Sequence, residues 1–202
     1  MAKRAGESVT IGLRAKTGRA IAVALAGSAD SPRLIKRLEL TLCDPAIPAT
    51  YQPYHEVLAI PWDRARAAVR KTAAIIERIA TRELAGLIKE LLSEGLKVHG
   101  VGIVGAGERN LERIGSTHIR AHAAEGVLFR QVLEVAATSN KLPNRRMDER
   151  SLDEQAVSEL NLSLAEIKAQ LAEMGRSAGS PWRADEKAAA TAAWLVLADT
   201  GK

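Results

Sequence analysis

The spacing of hydrophobic residues divides the chain into a strand-rich first part and a helix-rich remainder. Apolar residues alternate with small or polar ones over 9–13, run together over 19–26, and alternate again over 33–43. Both patterns are typical of neighbouring strands. The intervening segments 15–18 and 27–32 contain glycine, serine or proline in positions that favour turns. We therefore predict that the fold begins with a three-stranded antiparallel meander.

The hydrophobic period changes to that of a helix at Trp62. An apolar stripe with helical spacing then continues to Leu91, and Gly95 is placed to end that helix. The segment 96–104, with three valines and one isoleucine, predicts a buried strand, which we expect to lie parallel to the first strand and beside it. The proline-rich segment 44–61, which contains Gln-Pro-Tyr-His at 52–55, predicts a long loop. Such a loop is either functional or a simple crossing over the surface.

Further helices are predicted after the glycine-rich segment 105–115. Ser116 is suited to cap a helix that reaches Thr138. The remaining predicted elements are a short strand over 142–147, two short helices within 151–176, and an Ala-rich helix over 185–198. The two short helices are separated near Asn161; Ser163 is expected to cap the second of them and Gly175 to end it. A meander followed by such α-β-α units predicts a mixed sheet with helices on its faces.

Composition places the chain among globular proteins. It has 202 residues, of which 47% are hydrophobic and 26% are charged, and these values exclude an intrinsically disordered chain. The single cysteine, Cys43, excludes an intrachain disulfide and a cysteine-based zinc site. No apolar run approaches the roughly 18 residues of a membrane helix, and the basic start lacks the apolar segment of a secretory signal. We expect a bacterial-type cytoplasmic protein with no membrane partner.

The domain organisation follows from the same pattern. We expect residues 1–8 to be flexible and residues 9–202 to form a single domain, with a helical insertion at about 148–180. The pattern contains no internal repeat and no low-complexity tract.

Positive charge is concentrated near the start of the chain. The formal net charge is +5, and residues 1–37 contain eight Lys or Arg residues against two acids. Such a balance favours phosphate-bearing partners. The predicted turn after the first strand brings together Arg14, Lys16, Thr17 and Arg19, groups that suit an anion. An ordinary solvated turn is the alternative interpretation.

Polar residues occupy one face of two predicted helices. His118, His122 and Glu125 share a face that continues as apolar, so this helix end is predicted to border a cleft. The histidines could chelate a metal ion with Glu125 as third ligand or base, or they could form ordinary hydrogen bonds to backbone. Asp185 shares the small-residue stripe of the last helix with Ala189 and is either directed at the sheet end or a first-turn acid that the helix dipole favours.

The predicted element order resembles that of the ribonuclease H-like superfamily, and of its RuvC-like branch in particular. Residues 12–18 lie where that family has a Gly-Ile-Asp-x-Gly turn, and residues 101–104 lie where its central strand carries a Glu. Residues 123–128 fall in the following helix, and residues 183–190 resemble the closing helix with its metal-binding acids. The resemblance implies a three-stranded antiparallel meander plus parallel strands, helices on both faces and a C-terminal helical insertion.

The resemblance also implies a two-metal centre that needs three or four carboxylates for phosphodiester cleavage. Arg14 stands at the place of the first-strand Asp, Val104 stands at the place of the central Glu, and Asp185 is the one expected acid that matches. We therefore expect a RuvC-like fold without that centre, and no bound metal or other cofactor. On this fold, one shared cleft is expected from Arg14, Lys16, His118, His122, Glu125 and Asp185.

Three functions are compatible with these residues. The missing acids favour a non-catalytic protein that binds nucleic acid or another phosphate-bearing ligand in a basic cleft formed by Arg14, Lys16, Thr17 and Arg19. The first alternative is an enzyme of different chemistry, with His118 or His122 as acid or base. The second is a divergent nuclease in which His118, His122, Glu125 and Asp185 hold Mg²⁺ or Mn²⁺. The sequence leaves open whether the protein is an enzyme, whether it prefers DNA or RNA, and whether it forms a homodimer.

Overall fold

The computed structural model describes residues 6–107 and 109–199, and within them five strands form one mixed sheet. The antiparallel meander consists of β1 (Glu7–Lys16), β2 (Arg19–Gly27) and β3 (Pro32–Thr41). Strand β4 (Leu96–Gly105) pairs with β1 in parallel, and β5 (Asn144–Asp148) pairs with β4 in parallel. The order β3-β2-β1-β4-β5 places β1 in the middle of the sheet and confirms the predicted meander and the predicted neighbour of its first strand.

Helices cover both faces of this sheet. On one face lie α2 (Arg70–Ser93), with the short α1 (Trp62–Ala68) before it, and α3 (Thr117–Ser139). On the other face lie α4 (Leu152–Leu160), α5 (Leu164–Ala178) and α6 (Ala184–Asp199). The predicted class, an α/β fold with a mixed sheet between two helical layers, is confirmed. Among the described residues, no helix combines the length and the apolarity that crossing a lipid bilayer requires.

The central strand β1 separates two hydrophobic cores because its side chains alternate between the faces. Val9, Ile11 and Leu13 are fully buried in the core beneath α2 and α3. Thr10 points to the other face, where its Oγ1 donates a hydrogen bond of 2.8 Å to the carbonyl oxygen of Ala193 in α6. The residues of β1 that face α6 therefore share no core with those that face α3.

Helix α6 lies unusually close to the two central strands. A Cβ atom at Gly12 would be 1.8 Å from the carbonyl oxygen of Ala189, and one at Gly102 would be 2.5 Å from that of Ala192. Only glycine in the strands, facing alanine in the helix, allows the two backbones to approach this far. This contact fixes the start of α6 beside the end of β1.

Several local signals act as the sequence predicts. The Ser116 side chain accepts a hydrogen bond from the backbone N–H of Ile119 and caps α3. Ser163 and Glu166 form a reciprocal capping box at the start of α5. Asn161 adopts a left-handed conformation, with φ of 54°, at the end of α4. These signals are local, and a short stretch of sequence is enough to reveal them.

Some predicted boundaries are wrong. The helical stripe from Trp62 is interrupted at Val69, which separates α1 from α2. Gly175 does not end α5, which continues to Ala178. A Cβ at Gly175 would be 2.4 Å from the Trp182 ring, so this glycine makes room for an indole instead of ending the helix.

The start of the domain also differs from the prediction. Strand β1 begins at Glu7, inside the predicted flexible segment 1–8, and the N–H of Gly6 donates a hydrogen bond of 3.0 Å to the carbonyl of Gly95. Residues 1–5 lie outside the described residues.

We predict that Gly12→Ala lowers the free energy of unfolding by roughly 3 kcal/mol, because the added methyl group overlaps the Ala189 carbonyl and forces α6 away from the sheet. Gly86→Ala is the matched control, since Gly86 lies in the exposed interior of α2 with open space around it. This control should raise the free energy of unfolding by about 0.5–1 kcal/mol. Urea denaturation measures both values, and a stabilising effect of Gly12→Ala would contradict the close packing.

Candidate functional site

One group of predicted site residues lies where β1 ends beside the start of α6. Arg14 is buried, and its Nη2 lies 2.5 Å from Glu149 Oε1. Its Nε lies 3.4 Å from Asp185 Oδ1, an ionic contact without hydrogen-bond geometry. Lys16 Nζ lies 3.2 Å from both carboxylate oxygens of Asp185. On the neighbouring strand β4, Val104 is the register partner of Arg14. Two cations are thus balanced by two carboxylates at this position.

The turn that follows β1 holds the other predicted anion ligands. Gly18 has a φ of 75°, which the turn requires, and Thr17 beside it is exposed. Arg19 is half exposed, and its Nε lies 3.6 Å from Glu39 Oε2. All three cations of the predicted anion site therefore have carboxylate partners, which leaves less of their charge available to a phosphate.

A cluster of three imidazoles lies on the opposite face of the sheet, at the start of α3. His118 and His122 are one helical turn apart, and their Nε2 atoms lie 3.1 Å from each other. His55 reaches them from the long loop 44–61, with ring centroids 4.9 Å from His118 and 4.3 Å from His122. One nitrogen from each ring lies within 4.8 Å of the other two. We call these residues the histidine cluster.

Glu125 supports the histidine cluster from beneath. Its side chain is fully buried, and its Oε1 lies 2.8 Å from His55 Nδ1 and accepts a longer bond of 3.3 Å from the His55 backbone N–H. Within the part of the chain that the structure describes, Glu125 Oε2 and His55 Nε2 are buried without a hydrogen-bond partner. Because Glu125 engages Nδ1, the Nε2 atom is the ring nitrogen of His55 that remains for a ligand.

The expected single cleft, shared by Arg14, His118, His122 and Asp185, is wrong. Helices α3 and α6 cover opposite faces of the sheet, so His118 and His122 lie on one face and Asp185 lies on the other. The phase of a helix shows which of its own residues face the sheet, but it does not show which side of the sheet the helix covers. The structure instead divides the predicted residues into two separate groups.

Sequence reasoning did not connect His55 with His118 and His122. His55 lies in a loop without a period, and about 60 residues of sequence separate it from α3. The one signal available was the histidine itself within a long proline-rich loop, a location in which functional residues are common.

A groove lined by arginines runs along α3. It consists of two adjoining cavities of about 440 and 220 Å³, which share residues of α3 and of the segment that precedes it. Glu112 is the single acidic residue among the described residues that line them. The arginines of this basic groove are Arg66, Arg109, Arg130 and Arg146.

One arginine of the basic groove is held firmly in place. Arg130 is almost fully buried, and its Nη1 donates a hydrogen bond of 2.6 Å to the carbonyl oxygen of Ala106. Its Nε lies 3.2 Å from Glu134 Oε1, one helical turn along α3. Arg66, Arg109 and Arg146 are exposed around it. The groove therefore combines one buried guanidinium, fixed by Ala106 and Glu134, with arginines that are exposed around it.

Aromatic rings form the other wall of the basic groove. Tyr54 and Trp62 both line the larger cavity, and their ring centroids lie 5.6 Å apart. Burial raises the pKa of the Tyr54 phenol, and the positive charge of Arg66 opposes this shift only in part. The phenol is therefore neutral at physiological pH. The guanidinium carbon of Arg120 lies 5.3 Å from the centroid of the Trp62 ring, and both residues line a further cavity.

The chain is similar in fold to RuvC of Thermus thermophilus. The structure of that protein in complex with a Holliday junction substrate matches with a TM-score of 0.53 and 9% identity, over 96% of each chain. A second structure of Thermus thermophilus RuvC matches with a TM-score of 0.51 and 13% identity, again over 96% of each chain. No protein-family model and no curated protein matches the sequence. The likeness confirms the RuvC-like, ribonuclease H-like fold that the sequence predicts.

We predict that Arg14→Asp destabilises the protein by roughly 2–3 kcal/mol, because it places a third carboxylate beside Glu149 and Asp185. Mg²⁺ or Mn²⁺ should restore part of this loss, since both ions bind clustered carboxylates. Arg14→Asn is the control, because it removes the positive charge without adding a carboxylate, and its melting temperature should not respond to either ion. Calorimetry with and without metal measures the difference. Equal metal responses of the two variants would contradict the arrangement.

Proposed function

We propose that this protein binds nucleic acid in the basic groove and does not cleave it by two-metal chemistry. The observation that carries the proposal is the presence of four arginines on the walls of one groove, with Glu112 as the single acid among the described lining residues. A guanidinium group matches the geometry of a phosphate and can donate two parallel hydrogen bonds to it. The spacing of several such groups along a groove suits a chain of phosphates better than a single small anion.

The aromatic wall of the groove supports the same class of ligand. Tyr54 and Trp62 are partly exposed where they line the larger cavity. Bases stack on such rings whatever their sequence, and the combination of a basic groove with aromatic rings is typical of proteins that bind single strands. In a duplex the faces of the bases are already stacked on one another. We therefore expect the groove to prefer single-stranded segments.

The similarity in fold to RuvC also supports nucleic acid as the class of ligand. The Thermus thermophilus protein of the same fold is known in complex with a Holliday junction substrate. A fold can carry many activities, so this likeness suggests a class of ligand and leaves its choice to the residues of this chain.

The residues at the end of β1 do not fit the two-metal centre that the resemblance implies. Such a centre needs several carboxylates around two divalent ions. In this chain the corresponding positions hold Arg14, Val104 and Asp185, and the buried guanidinium of Arg14 already neutralises Asp185 from a distance of 3.4 Å. A divalent cation would compete with this guanidinium and with Lys16 for the same oxygens. We therefore derive no cleavage step at this position.

We predict salt-dependent binding of fluorescently labelled oligonucleotides, measured by anisotropy at several salt concentrations. The slope of log K against log salt should be about −0.7 for each phosphate that a single strand contributes, and about −0.9 for duplex DNA. The double variant Arg66→Ala, Arg109→Ala should bind roughly tenfold or more weakly and should reduce the slope by about two phosphate contacts.

The matched control is the double variant Arg82→Ala, Arg176→Ala, which removes the same charge from side chains that are 74% and 70% exposed on α2 and α5. It should leave both the affinity and the slope close to those of the wild type. Equal losses in the two double variants would show that net charge, and not the groove, accounts for binding. Absence of binding at low salt would contradict the proposed function itself.

A further inference from the structure

We propose that the histidine cluster is a binding site for one transition metal ion of the Zn²⁺ or Co²⁺ class, with His55, His118 and His122 as its protein ligands. The Nε2 atoms of His118 and His122 lie 3.1 Å apart. Tetrahedral zinc with Zn–N distances of about 2.0–2.1 Å places ligand nitrogens roughly 3.3–3.4 Å from each other. The two helix residues already lie at almost that spacing.

The third ring needs to move only a short distance. One nitrogen from each ring lies within 4.8 Å of the other two, and a tetrahedral zinc site needs roughly 3.3–3.4 Å, so the closure required is on the order of 1.5 Å. His55 Nε2 is buried and has no hydrogen-bond partner among the described residues. A buried ring nitrogen without a partner costs free energy, which a metal ion at this position would offset.

Glu125 orients the ring of His55 for metal binding. A metal-binding histidine commonly donates its other ring nitrogen to a carboxylate, which fixes its tautomer and the orientation of its ring. Glu125 Oε1 makes this contact with His55 Nδ1 at 2.8 Å and directs Nε2 to the ligand. Glu125 is fully buried, and its Oε2 has no partner among the described residues. A cation beyond the imidazole would balance this buried charge, so we identify Glu125 as a positioning residue and not as a ligand.

The ligand set selects the class of metal. Imidazole nitrogen favours Zn²⁺ and its neighbours, whereas Mg²⁺ and Mn²⁺ prefer carboxylate and carbonyl oxygen. His118 and His122 are exposed, so three protein ligands would leave a fourth position open to water. Three protein ligands with one open position form the coordination of catalytic zinc sites, whereas structural sites are closed by four. The proposed ion would therefore hold an exchangeable water molecule.

The full chain, without a polyhistidine tag, is titrated with Zn²⁺ in a calorimeter. A second titration, with Co²⁺, is followed by visible absorption, because the Co²⁺ spectrum reports tetrahedral coordination. We expect about one ion per chain and no competition from an excess of Mg²⁺. His118→Asn and His122→Asn should each weaken binding by roughly 100-fold or more. The sequence has four histidines, and the fourth, His99, is exposed on β4 outside the cluster. His99→Asn is therefore the matched control and should bind like the wild type.

Glu125→Gln should weaken Zn²⁺ binding by about 10–100-fold, as is typical when a carboxylate partner of a ligand is lost. His118 and His122 are at the surface, so their variants keep the test valid if Glu125→Gln fails to fold. Failure of the wild-type protein to bind Zn²⁺ would overturn the proposal. Unchanged affinity in His118→Asn and His122→Asn, or an equal loss in His99→Asn, would also overturn it.

Discussion

The close contact between α6 and the central strands is the constraint on which the rest of the structure depends. Gly12 and Gly102 allow the backbone of α6 to lie directly on β1 and β4, and no larger residue would fit at either position. This contact fixes the start of α6 so that Asp185 reaches Arg14 and Lys16. Helices α2 and α3 pack on the opposite face of the sheet. Ion pairs consequently occupy the end of β1 beside α6, whereas the histidine cluster and the basic groove lie with α3 on the other face of the sheet.

The loop 44–61 connects the two features of the α3 face. Tyr54 contributes to the aromatic wall of the basic groove, and the next residue, His55, completes the histidine cluster. Turn hydrogen bonds such as that from the N–H of His55 to the carbonyl of Gln52 hold this loop in shape. A ligand that fixes His55 therefore also restricts the position of Tyr54. Metal and nucleic acid would in this way act on one segment of the chain.

Most of the fold could be predicted from the sequence because its signals are local. The alternation over β1 and the caps at Ser116 and Ser163 each depend on a few consecutive residues. The sites depend on distant residues, and these could be predicted only in part. Helical phase correctly grouped His118 with His122, but neither His55 nor the side of the sheet could be inferred from it. The predicted end of α5 at Gly175 is wrong for the same reason, because the glycine at this position serves a tertiary contact with Trp182.

The arginines of the basic groove could not be grouped from the sequence at all. They come from α1, the segment before α3, α3 itself and β5, and no periodicity connects them. The positive charge that the sequence displays most clearly, around Arg14 and Lys16, is neutralised by Asp185 and Glu149 in the folded chain. Net charge predicts a class of partner but not the surface that binds it.

The location of bound metal is tested most directly by anomalous X-ray diffraction from crystals grown with both Zn²⁺ and Mn²⁺, with data collected at the absorption edge of each metal. We predict a zinc peak between His55, His118 and His122, and no peak of either metal between Glu149 and Asp185. A metal peak beside Asp185, with none at the histidines, would contradict the proposed metal site. The chemistry would then lie at the end of β1, as in a two-metal nuclease.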